Sequence, residues 1–267
     1  MKTGANQMKK ELLSLIGCGW LGKALALDLQ SSGHNIMATT AHDKSTEFAQ
    51  DDVPYIQFDA ALDQAPEHIK HSDVLIYMVP PLGVSHVKHF FDQISPDKKI
   101  IFISSISVYG KNLGNLDEEA EHHVCSTGSP LLLETENYIK NRFSHASILR
   151  LGGLYGYKRH PSFFLAGKTE LTGGHAFLHL VHRDDCIRAI KAVLMTNSWS
   201  ETFNIVSDVK HRKNEYYSMM ATKLNLAPPQ YLHYEKSLKE TIISNAKSKM
   251  KLNMTYLDPS EFCTFSE

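Results

Sequence analysis

The stretch LLSLIGCGWLG, residues 12–22, decides the fold of this chain. Its first five residues are mostly apolar and predict a short buried strand, and Gly17, Gly19 and Gly22 follow in G-x-G-x-x-G spacing. In such a turn the first glycine permits a tight bend, the second lets a diphosphate approach the backbone, and the third lets a helix pack on the strand. Amides at the start of that helix face the phosphates. The stretch predicts a dinucleotide-binding unit; the alternative is that the glycines serve tight packing alone.

Short apolar runs alternate with longer segments of helical period up to about residue 151. This alternation is typical of a parallel sheet with crossover helices. The predicted strands are 12–16, 35–40, 53–58, 73–79, 99–104 and 146–151. The predicted fold class is therefore α/β, a Rossmann-like doubly wound parallel sheet.

The pattern changes after residue 151. The sequence there predicts a strand near 177–181, a helix that opens at Asp184 or Asp185, a strand at 202–206 and a helix near 214–224. We expect a flexible N-terminal segment (1–10), a dinucleotide-binding Rossmann domain (11–151) and a small α+β substrate-binding lobe (152–267), some segments of which return to the main sheet.

Charge and composition narrow the classes of partner. Lys and Arg number 28 and Asp and Glu 29, and this balance argues against nucleic acid or an anionic membrane as partner. The four cysteines lie far apart with no C-x-x-C pair, which is neither a disulfide framework nor a zinc pattern. No apolar run reaches the roughly 18 residues of a membrane-spanning helix. We expect a soluble cytoplasmic protein with a small-molecule substrate and no metal site.

The end of the second predicted strand bears on the choice between NAD and NADP. NAD-specific proteins usually place an acidic residue there, about 20 residues past the glycine motif, to hold the ribose 2′-hydroxyl. Here the strand tip is Thr39 or Thr40, and Asp43 follows in the next loop beside Lys44. Hydroxyls with a nearby lysine would tolerate a 2′-phosphate, so NADP is slightly favoured over NAD. The alternative is that Lys44 is only a solvated residue at a helix start.

The segment SSISVYG, residues 104–110, resembles the extended short-chain dehydrogenase/reductase superfamily, the NAD-dependent epimerase/dehydratase family. Three further segments are similar to motifs of that family. They are 148–156 after the sixth strand, 180–185 with its "IHxxD" pattern, and 203–206 with its "YNV" pattern. The resemblance covers about residues 11–210, and the short length and the form of the glycine turn are similar to the family's atypical short branch.

The resemblance implies hydride transfer between a nicotinamide and a hydroxyl-bearing carbon, on a sugar or nucleotide-sugar substrate. In the family a Ser or Thr orients the substrate oxygen, and a Tyr with a Lys four residues later moves the proton. Ser105 matches the Ser/Thr position, but none of the 11 tyrosines has a lysine four residues later, and Leu131 stands where the Tyr is expected. Tyr138, two helical turns beyond Leu131, is the first substitute to consider, and Tyr109 is a second.

The glycine turn and the resemblance together give the candidate site residues. The cofactor-binding candidates are Gly17, Gly19, Trp20, Leu21, Gly22, Thr40, Lys44, Asp59, Val79, Pro80 and Ser104. The substrate-binding candidates are Ser105, Tyr109 and His182, and the catalytic candidates are Ser105 and Tyr138. Asp59 can alternatively be an ordinary helix N-cap, and His182 a hydrogen-bonded hinge residue. Helices flanking the fourth and fifth strands often pair two subunits in this family, so the resemblance also implies a homodimer.

Three functions remain open from the sequence. The first is an NAD(P)-dependent oxidoreductase or epimerase, and the second is a non-catalytic NADP(H)-binding regulatory protein that kept the turn and lost proton transfer. The third rests on MVPP, residues 78–81, which together with the glycine turn is similar to β-hydroxyacid dehydrogenases. Those enzymes carry a mostly helical second domain, whereas strand-like segments follow here.

Overall fold

The computed structural model describes residues 11–80, 84–110, 112–120, 130–208, 211–232 and 240–261. The predicted flexible segment 1–10 and the last proline of residues 78–81 lie outside these ranges. The strands are β1 (Leu12–Ile16), β2 (Asn35–Thr40), β3 (Tyr55–Gln57), β4 (Val74–Tyr77), β5 (Lys99–Ser105), β6 (Gly114–Leu116), β7 (His145–Leu151), β8 (Gly153–Tyr155), β9 (Leu180–His182), β10 (Thr202–Ile205) and β11 (Thr241–Ile243).

Helices and one short 3-10 turn connect these strands. They are α1 (Trp20–Ser31), α2 (Ser45–Gln50), α3 (Glu67–Lys70), α4 (Val84–Phe91), the 3-10 turn Ile106–Tyr109, α5 (Pro130–Arg142), α6 (Pro161–Leu165), α7 (Arg183–Thr196), α8 (Lys213–Lys223) and α9 (Ala246–Lys251). In the described part of the chain, no helix combines the length and apolarity needed to cross a bilayer.

The main sheet has seven strands in the order β10-β7-β5-β4-β1-β2-β3. β1 pairs in parallel with both β2 and β4, so the strand order reverses direction at β1. Ligands of doubly wound sheets bind outside the carboxyl ends of the strands at such a reversal. The predicted fold class is confirmed, and the reversal lies where the glycine turn follows β1.

Two predicted strands are longer than those observed. The run 53–58 forms a strand only over Tyr55–Gln57. Pro54, just before it, has no amide hydrogen to donate to β2, although its carbonyl still accepts the Ala38 amide at 2.8 Å. The run 73–79 pairs only over Val74–Tyr77. The Asp73 amide donates to the Leu12 carbonyl at 2.9 Å, while the Asp73 side chain accepts the Leu12 amide at 2.8 Å.

The described residues fall in two compact units. The first comprises the described residues up to Ile103 together with Thr135–Ala146, and the second comprises the described residues from Ser104 to Glu134 and from Ser147 onward. The predicted domains, residues 11–151 and 152–267, are continuous stretches of sequence, whereas each unit combines two stretches. The predicted domain division stays a prediction. The first unit has a core of aromatic side chains, in which Tyr77 packs 5.0 Å from Phe91 and 5.8 Å from Phe102 between ring centroids.

Two histidines of the second unit, the buried His160 and the half-buried His179, accept backbone amide hydrogens. Nδ1 of His160 accepts from Ser162 N at 3.1 Å, and Nε2 of His179 accepts from Ile243 N at 3.1 Å. A ring nitrogen can accept only while it is unprotonated. Burial accordingly lowers the pKa of both His160 and His179 to about 4.

These histidines predict that the second unit loses stability in mild acid. Above the ordinary histidine pKa, near 6.5, both the folded and the unfolded chains are neutral at these positions, so the full stability is present. As the pH falls towards 4, the unfolded chain binds protons that the folded chain cannot, and stability falls by up to about 1.4 kcal/mol per pH unit for each histidine. Urea unfolding followed at pH 7.5 and pH 5 measures this loss.

The variant His160→Asn provides the control for the acid effect, because the asparagine Oδ1 can take the place of Nδ1 as acceptor of the Ser162 amide but does not titrate. It should show a smaller difference in urea midpoint between the two pH values than the wild type. Equal differences in both proteins would contradict the assignment of the acid loss to His160.

Candidate functional site

Gly17 and Gly22 lie where a side chain would collide with the loop after β4. Gly17 has φ +86°, and a Cβ there would lie 2.6 Å from Cγ2 and 3.1 Å from the backbone nitrogen of Val79. A Cβ on Gly22 would lie 2.9 Å from Cε of Met78 and 3.3 Å from Cβ of Cys18. These two glycines therefore let the turn and α1 pack directly against the end of β4.

Gly19 is different, because a Cβ built on it meets no atom of the described residues within 4 Å. Its φ is −78°, which any residue can adopt, so neither strain nor packing requires glycine at this position. A physical reason for a glycine that fits this position is space for a ligand. The backbone at Gly19 is open where a dinucleotide diphosphate is expected to approach.

Helix α1 presents its amino end at this open position. Gly19 is the N-cap residue, no side chain of the described residues forms a capping hydrogen bond there, and the first turn of the helix contains no acidic residue. The first amides of a helix have no partner within the helix, and the helix dipole adds partial positive charge there. The start of α1, with Trp20 and Leu21, is therefore suited to bind an anion. These features of the turn fit a dinucleotide.

Cys18, inside the turn, is fully buried, and burial raises the pKa of its thiol to about 12. The thiol stays protonated at neutral pH, so Cys18 packs as a small apolar residue and supplies no reactive thiolate.

A hydrogen-bonded group built around Tyr55 orders the loop that follows β2. The hydroxyl of Thr40 lies 2.9 Å from the Tyr55 hydroxyl and donates to the His42 carbonyl at 2.5 Å. The amide of Lys44 donates to the Tyr55 hydroxyl at 3.1 Å, and the Tyr55 ring stacks on Phe48 with centroids 4.8 Å apart. Thr40 and Lys44 are candidates from their place at the strand tip, whereas Tyr55, which forms hydrogen bonds with both, has no signal in the sequence.

The charge of Lys44 is paired. Its ammonium lies 3.5 Å from a Glu47 carboxylate oxygen, and Glu47 also lies 3.1 Å from Lys23. Lys23 holds the pKa of Glu47 below its usual range, so Glu47 is ionised at neutral pH. Asp43, the nearby acid in the sequence, accepts the Ser45 amide at 2.8 Å. The slight preference for NADP over NAD stays a prediction.

The other cofactor candidates lie at the ends of strands. Asp59 follows β3, and its carboxylate accepts the Ala61 amide at 2.9 Å, which closes a turn. Val79 contacts the Gly17 position, and Pro80 next to it is exposed. Ser104 is buried near the end of β5. Their roles towards a cofactor stay predictions.

Ser105 is the last residue of β5 and the N-cap of the 3-10 turn. Its side-chain oxygen accepts the Ser107 amide at 3.1 Å. A serine hydroxyl has one proton and two lone pairs, so this bond leaves the proton for donation to another group. The predicted role of Ser105 in orienting a substrate oxygen is compatible with this geometry and stays a prediction.

The hydroxyl of Tyr109 takes part in a buried network of the second unit. It lies 2.8 Å from the Asp117 carbonyl oxygen and 2.8 Å from Oδ1 of Asn204, and it accepts from Nη1 of Arg150 at 2.9 Å. Glu118 accepts the Asn204 amide at 2.6 Å. Tyr109 is only 1% exposed. These contacts explain Tyr109 as part of the unit's core, and its predicted substrate contact stays untested.

Tyr138 lies in α5 next to α4. Its hydroxyl donates to Asp92 at 2.6 Å, and the ammonium of Lys88 lies 4.9 Å from its ring centre. Burial, together with the Asp92 carboxylate, raises the pKa of Tyr138. Asp92 comes just after the last residue of α4, whereas cofactor loops follow strands. These contacts do not favour the predicted catalytic role of Tyr138.

His182 ends β9 and caps α7. Its Nδ1 accepts the Asp184 amide at 3.2 Å, and the helix begins at Arg183, one residue before the earlier of the two predicted starts. Asp184 in turn accepts a hydrogen bond from the Tyr157 hydroxyl at 2.8 Å. His182 thus has the geometry of a hydrogen-bonded junction residue, and its predicted substrate contact stays a prediction.

The candidates group by unit. The glycine turn, the Thr40 and Lys44 loop, Asp59 and Val79 belong to the first unit, and Ser104, Ser105, Tyr109 and His182 belong to the second. Within the first unit the structure brings the glycine turn against the end of β4. Within the second, Tyr109 lies in the buried network and His182 lies at the start of α7.

Comparisons with known proteins agree with this geometry. Residues 13–106, which include the glycine turn, match the family model described as NADP oxidoreductase, coenzyme F420-dependent. Protein YeeZ of Escherichia coli (strain K12) is 29% identical over 269 residues, which cover 94% of this chain and 97% of YeeZ.

Two solved structures share the fold. The UDP-glucuronic acid 4-epimerase of Bacillus cereus, in complex with NAD, is 20% identical with a TM-score of 0.76, covering 96% of this chain and 97% of that one. A functionally unknown conserved protein from Silicibacter pomeroyi DSS is 16% identical with a TM-score of 0.75, covering 94% and 95%. At these identities the likeness shows the fold.

The family match and the fold together support a Rossmann-type NAD(P)-dependent protein. The predicted cofactor, NAD or NADP, is confirmed without a choice between the two. The third function considered from the sequence requires a mostly helical second domain. In the described residues, the strands β7 and β10 instead extend the main sheet after β5.

The three glycines predict three separable effects of an alanine substitution. Gly17→Ala should destabilise the first unit by at least about 2 kcal/mol, because alanine is strained at φ +86° and its methyl meets the Val79 backbone. Gly19→Ala should change stability by less than about 1 kcal/mol but weaken nucleotide binding at least about tenfold, because the methyl fills the open position. Thermal unfolding and nucleotide titration measure the two effects.

Gly22→Ala serves as the control in this series. Its methyl would lie closest to the flexible end of the Met78 side chain, at 2.9 Å, and 3.3 Å from both the Cys18 Cβ and the Gly17 carbonyl oxygen. The Met78 side chain can move away, whereas the backbone of Val79 that opposes Gly17 cannot move as easily. Gly22→Ala should cost less stability than Gly17→Ala. If Gly19→Ala binds nucleotide as tightly as the wild type, the diphosphate does not approach Gly19.

Proposed function

We propose that this protein is an NAD(P)-dependent oxidoreductase or epimerase of the extended short-chain dehydrogenase/reductase type, acting on a sugar or nucleotide-sugar substrate. The observation that carries the proposal is the open backbone at Gly19 in front of the uncapped start of α1. The fold shared with a UDP-glucuronic acid 4-epimerase in complex with NAD supports the choice of substrate class.

In this proposal the first amides of α1 bind the diphosphate, and the Gly19 backbone lets it approach. The bound nicotinamide would supply or accept a hydride. Residues of the chain would bind the nucleotide and orient the substrate. Ser105 uses its remaining hydroxyl proton to orient the substrate oxygen, while its own oxygen stays fixed by the Ser107 amide.

Proton transfer is the weak point of this chemistry. A positioned general acid or base typically contributes 10²- to 10⁴-fold in rate. The Tyr138 hydroxyl is held by Asp92 with a raised pKa, and the Tyr109 hydroxyl is engaged with Arg150 and Asn204. Leu131, where the family has its tyrosine, is half exposed and cannot transfer a proton. We therefore expect turnover well below that of a family member with the Tyr and Lys pair.

The second candidate function is a non-catalytic NADP(H)-binding regulatory protein. Leu131 and the contacts of Tyr138 and Tyr109 favour it, because the cofactor turn is intact while the usual proton-transfer groups are absent or engaged. The two candidates share the cofactor and differ in turnover. A homodimer and a cytoplasmic location remain part of the proposal in both cases.

A titration with NADPH and NADH, followed by absorbance at 340 nm with a panel of sugars and nucleotide sugars, tests the proposal. Saturable nucleotide binding with substrate-dependent oxidation or reduction supports the enzyme. Saturable binding without turnover on the whole panel supports the regulatory protein. Absence of binding to both nucleotides contradicts both candidates.

The role of Ser105 predicts a specific defect. With the substrate that gives the highest rate, Ser105→Ala should lower kcat by about 10-fold to 100-fold, because the substrate oxygen loses its donor. NADPH affinity should be unchanged, since Ser105 is not proposed to hold the diphosphate. Ser105→Thr, which keeps the hydroxyl, is the matched control and should retain most of the activity. Equal kcat for the alanine variant and the wild type would remove Ser105 from the mechanism.

The ion pairs around Lys44 predict opposite shifts in nucleotide preference. Lys44→Gln should lower the ratio of NADPH to NADH affinity by about threefold to tenfold, because a cation near the 2′-phosphate is lost. Glu47→Gln should raise that ratio by about twofold to fivefold, since it releases the Lys44 ammonium from its partner. Isothermal titration with each nucleotide gives the ratios.

Lys70→Gln is the control for these variants, because Lys70 forms a comparable ion pair with Glu67 on α3. Its ratio should equal that of the wild type. If Lys44→Gln leaves the ratio unchanged as well, Lys44 is a solvated lysine and does not read the 2′-phosphate.

A further inference from the structure

Thr39, in β2, forms hydrogen bonds with the backbone at three positions of β1 and the glycine turn, Leu15, Gly17 and Cys18. Its carbonyl accepts the Cys18 amide at 2.7 Å. Its hydroxyl oxygen lies 3.3 Å from the Gly17 amide, which donates to it, and the hydroxyl donates to the Leu15 carbonyl at 3.2 Å. Thr39 is fully buried, so water cannot replace these bonds.

The Thr39 hydroxyl has its donor and acceptor roles divided between two groups. Its single proton goes to Leu15, which leaves its lone pairs to accept from Gly17. The orientation of the Gly17 amide is therefore set by a hydroxyl on the neighbouring strand. Gly17 has φ +86°, a conformation open to glycine but not required of it, so the turn depends on such contacts to hold one shape.

These bonds also decide which amides of the turn are left for a ligand. The amides of Gly17 and Cys18 are taken by Thr39, and the amide of Gly19 donates to the Gly17 carbonyl at 2.9 Å. A diphosphate must then be bound by later amides, at the start of α1. The direction in which those amides point follows from the shape of the turn immediately before them.

We propose that Thr39 is a positioning residue for dinucleotide binding, which holds the glycine turn so that the first amides of α1 face the diphosphate. This inference rests on the proposed function, because it assumes that the turn binds NAD or NADP. It goes further by assigning the affinity of the turn to a side chain that does not touch the ligand.

Replacement by valine isolates the hydroxyl, because valine has nearly the same shape as threonine. Thr39→Val leaves the Gly17 amide and the Leu15 carbonyl without this partner in a buried position, so the turn can reorient to satisfy them. We expect the Kd to rise about 5-fold to 30-fold. The rise should be the same for NADH and NADPH, because both carry the diphosphate and differ only at the ribose 2′-position.

The experiment compares the wild type with Thr39→Val, Thr39→Ser and Ser14→Ala. Serine keeps the hydroxyl and should restore a Kd within about threefold of the wild type. Ser14 in β1 is also fully buried and bonds to the Ser72 hydroxyl at 2.6 Å, away from the turn. Ser14→Ala should lower the urea midpoint without changing either Kd, which is the behaviour of a hydroxyl that only stabilises the fold.

The outcomes separate this inference from the proposed function. If the wild type binds neither nucleotide, the proposed function fails and the inference fails with it. If the wild type binds but folded Thr39→Val binds with an unchanged Kd, the inference alone is overturned. A raised Kd that Thr39→Ser does not restore also overturns it, because the hydroxyl is then not responsible.

Amide hydrogen exchange on the wild type tests the same point without a variant, should Thr39→Val fail to fold. The Gly17 and Cys18 amides should exchange slowly in the free protein and stay the same when NADPH is added. The amides of Leu21 and Gly22 should become protected only with NADPH. Fast exchange at Gly17 in the free protein, with protection by NADPH, would make Gly17 itself a phosphate ligand and would overturn the proposal.

Discussion

The approach of Gly17 to the backbone of Val79 is the constraint on which the cofactor site depends. A single methyl group at Gly17 would lie 2.6 Å from the Val79 side chain. Because Gly17 has no side chain, the chain can leave β1, bend sharply and begin α1 against the end of β4. The same approach brings the start of α1 to the point where the strand order of the sheet reverses, so a packing requirement and a binding requirement are met by the same residue.

The three glycines of one motif serve different physical ends, and the structure distinguishes them. Gly17 and Gly22 are explained by packing, as the simpler interpretation of the motif holds, because side chains there would meet Val79, Met78 or Cys18. Gly19 is not explained by packing or by its backbone angles. Packing alone would therefore account for two glycines, and the third is the one that indicates a ligand.

Local patterns in the sequence predict the fold well and the site only in part. β1 and β2 have the predicted bounds, and β1 is the clearer case because a buried parallel strand reads as a mostly apolar run. Thr39 and Tyr55 act through hydrogen bonds to residues 22 and 15 positions away, which leave no periodic signal. Tyr138 shows the same limit, because its partner Asp92 lies 46 residues earlier.

Tyr109, in the second unit, shows that the presence of a candidate tyrosine is not enough for proton transfer. A catalytic hydroxyl must be able to lose and regain a proton at the substrate, so it needs a free approach and a pKa near the working pH. Tyr109 instead joins Arg150 and Asn204 inside the unit, where burial raises its pKa and its hydroxyl links three segments of the chain. Breaking these bonds would leave the Arg150 charge buried without this partner, which is costly. The network therefore stabilises the second unit and keeps the Tyr109 hydroxyl engaged with structural partners, which does not suit it to act as an acid.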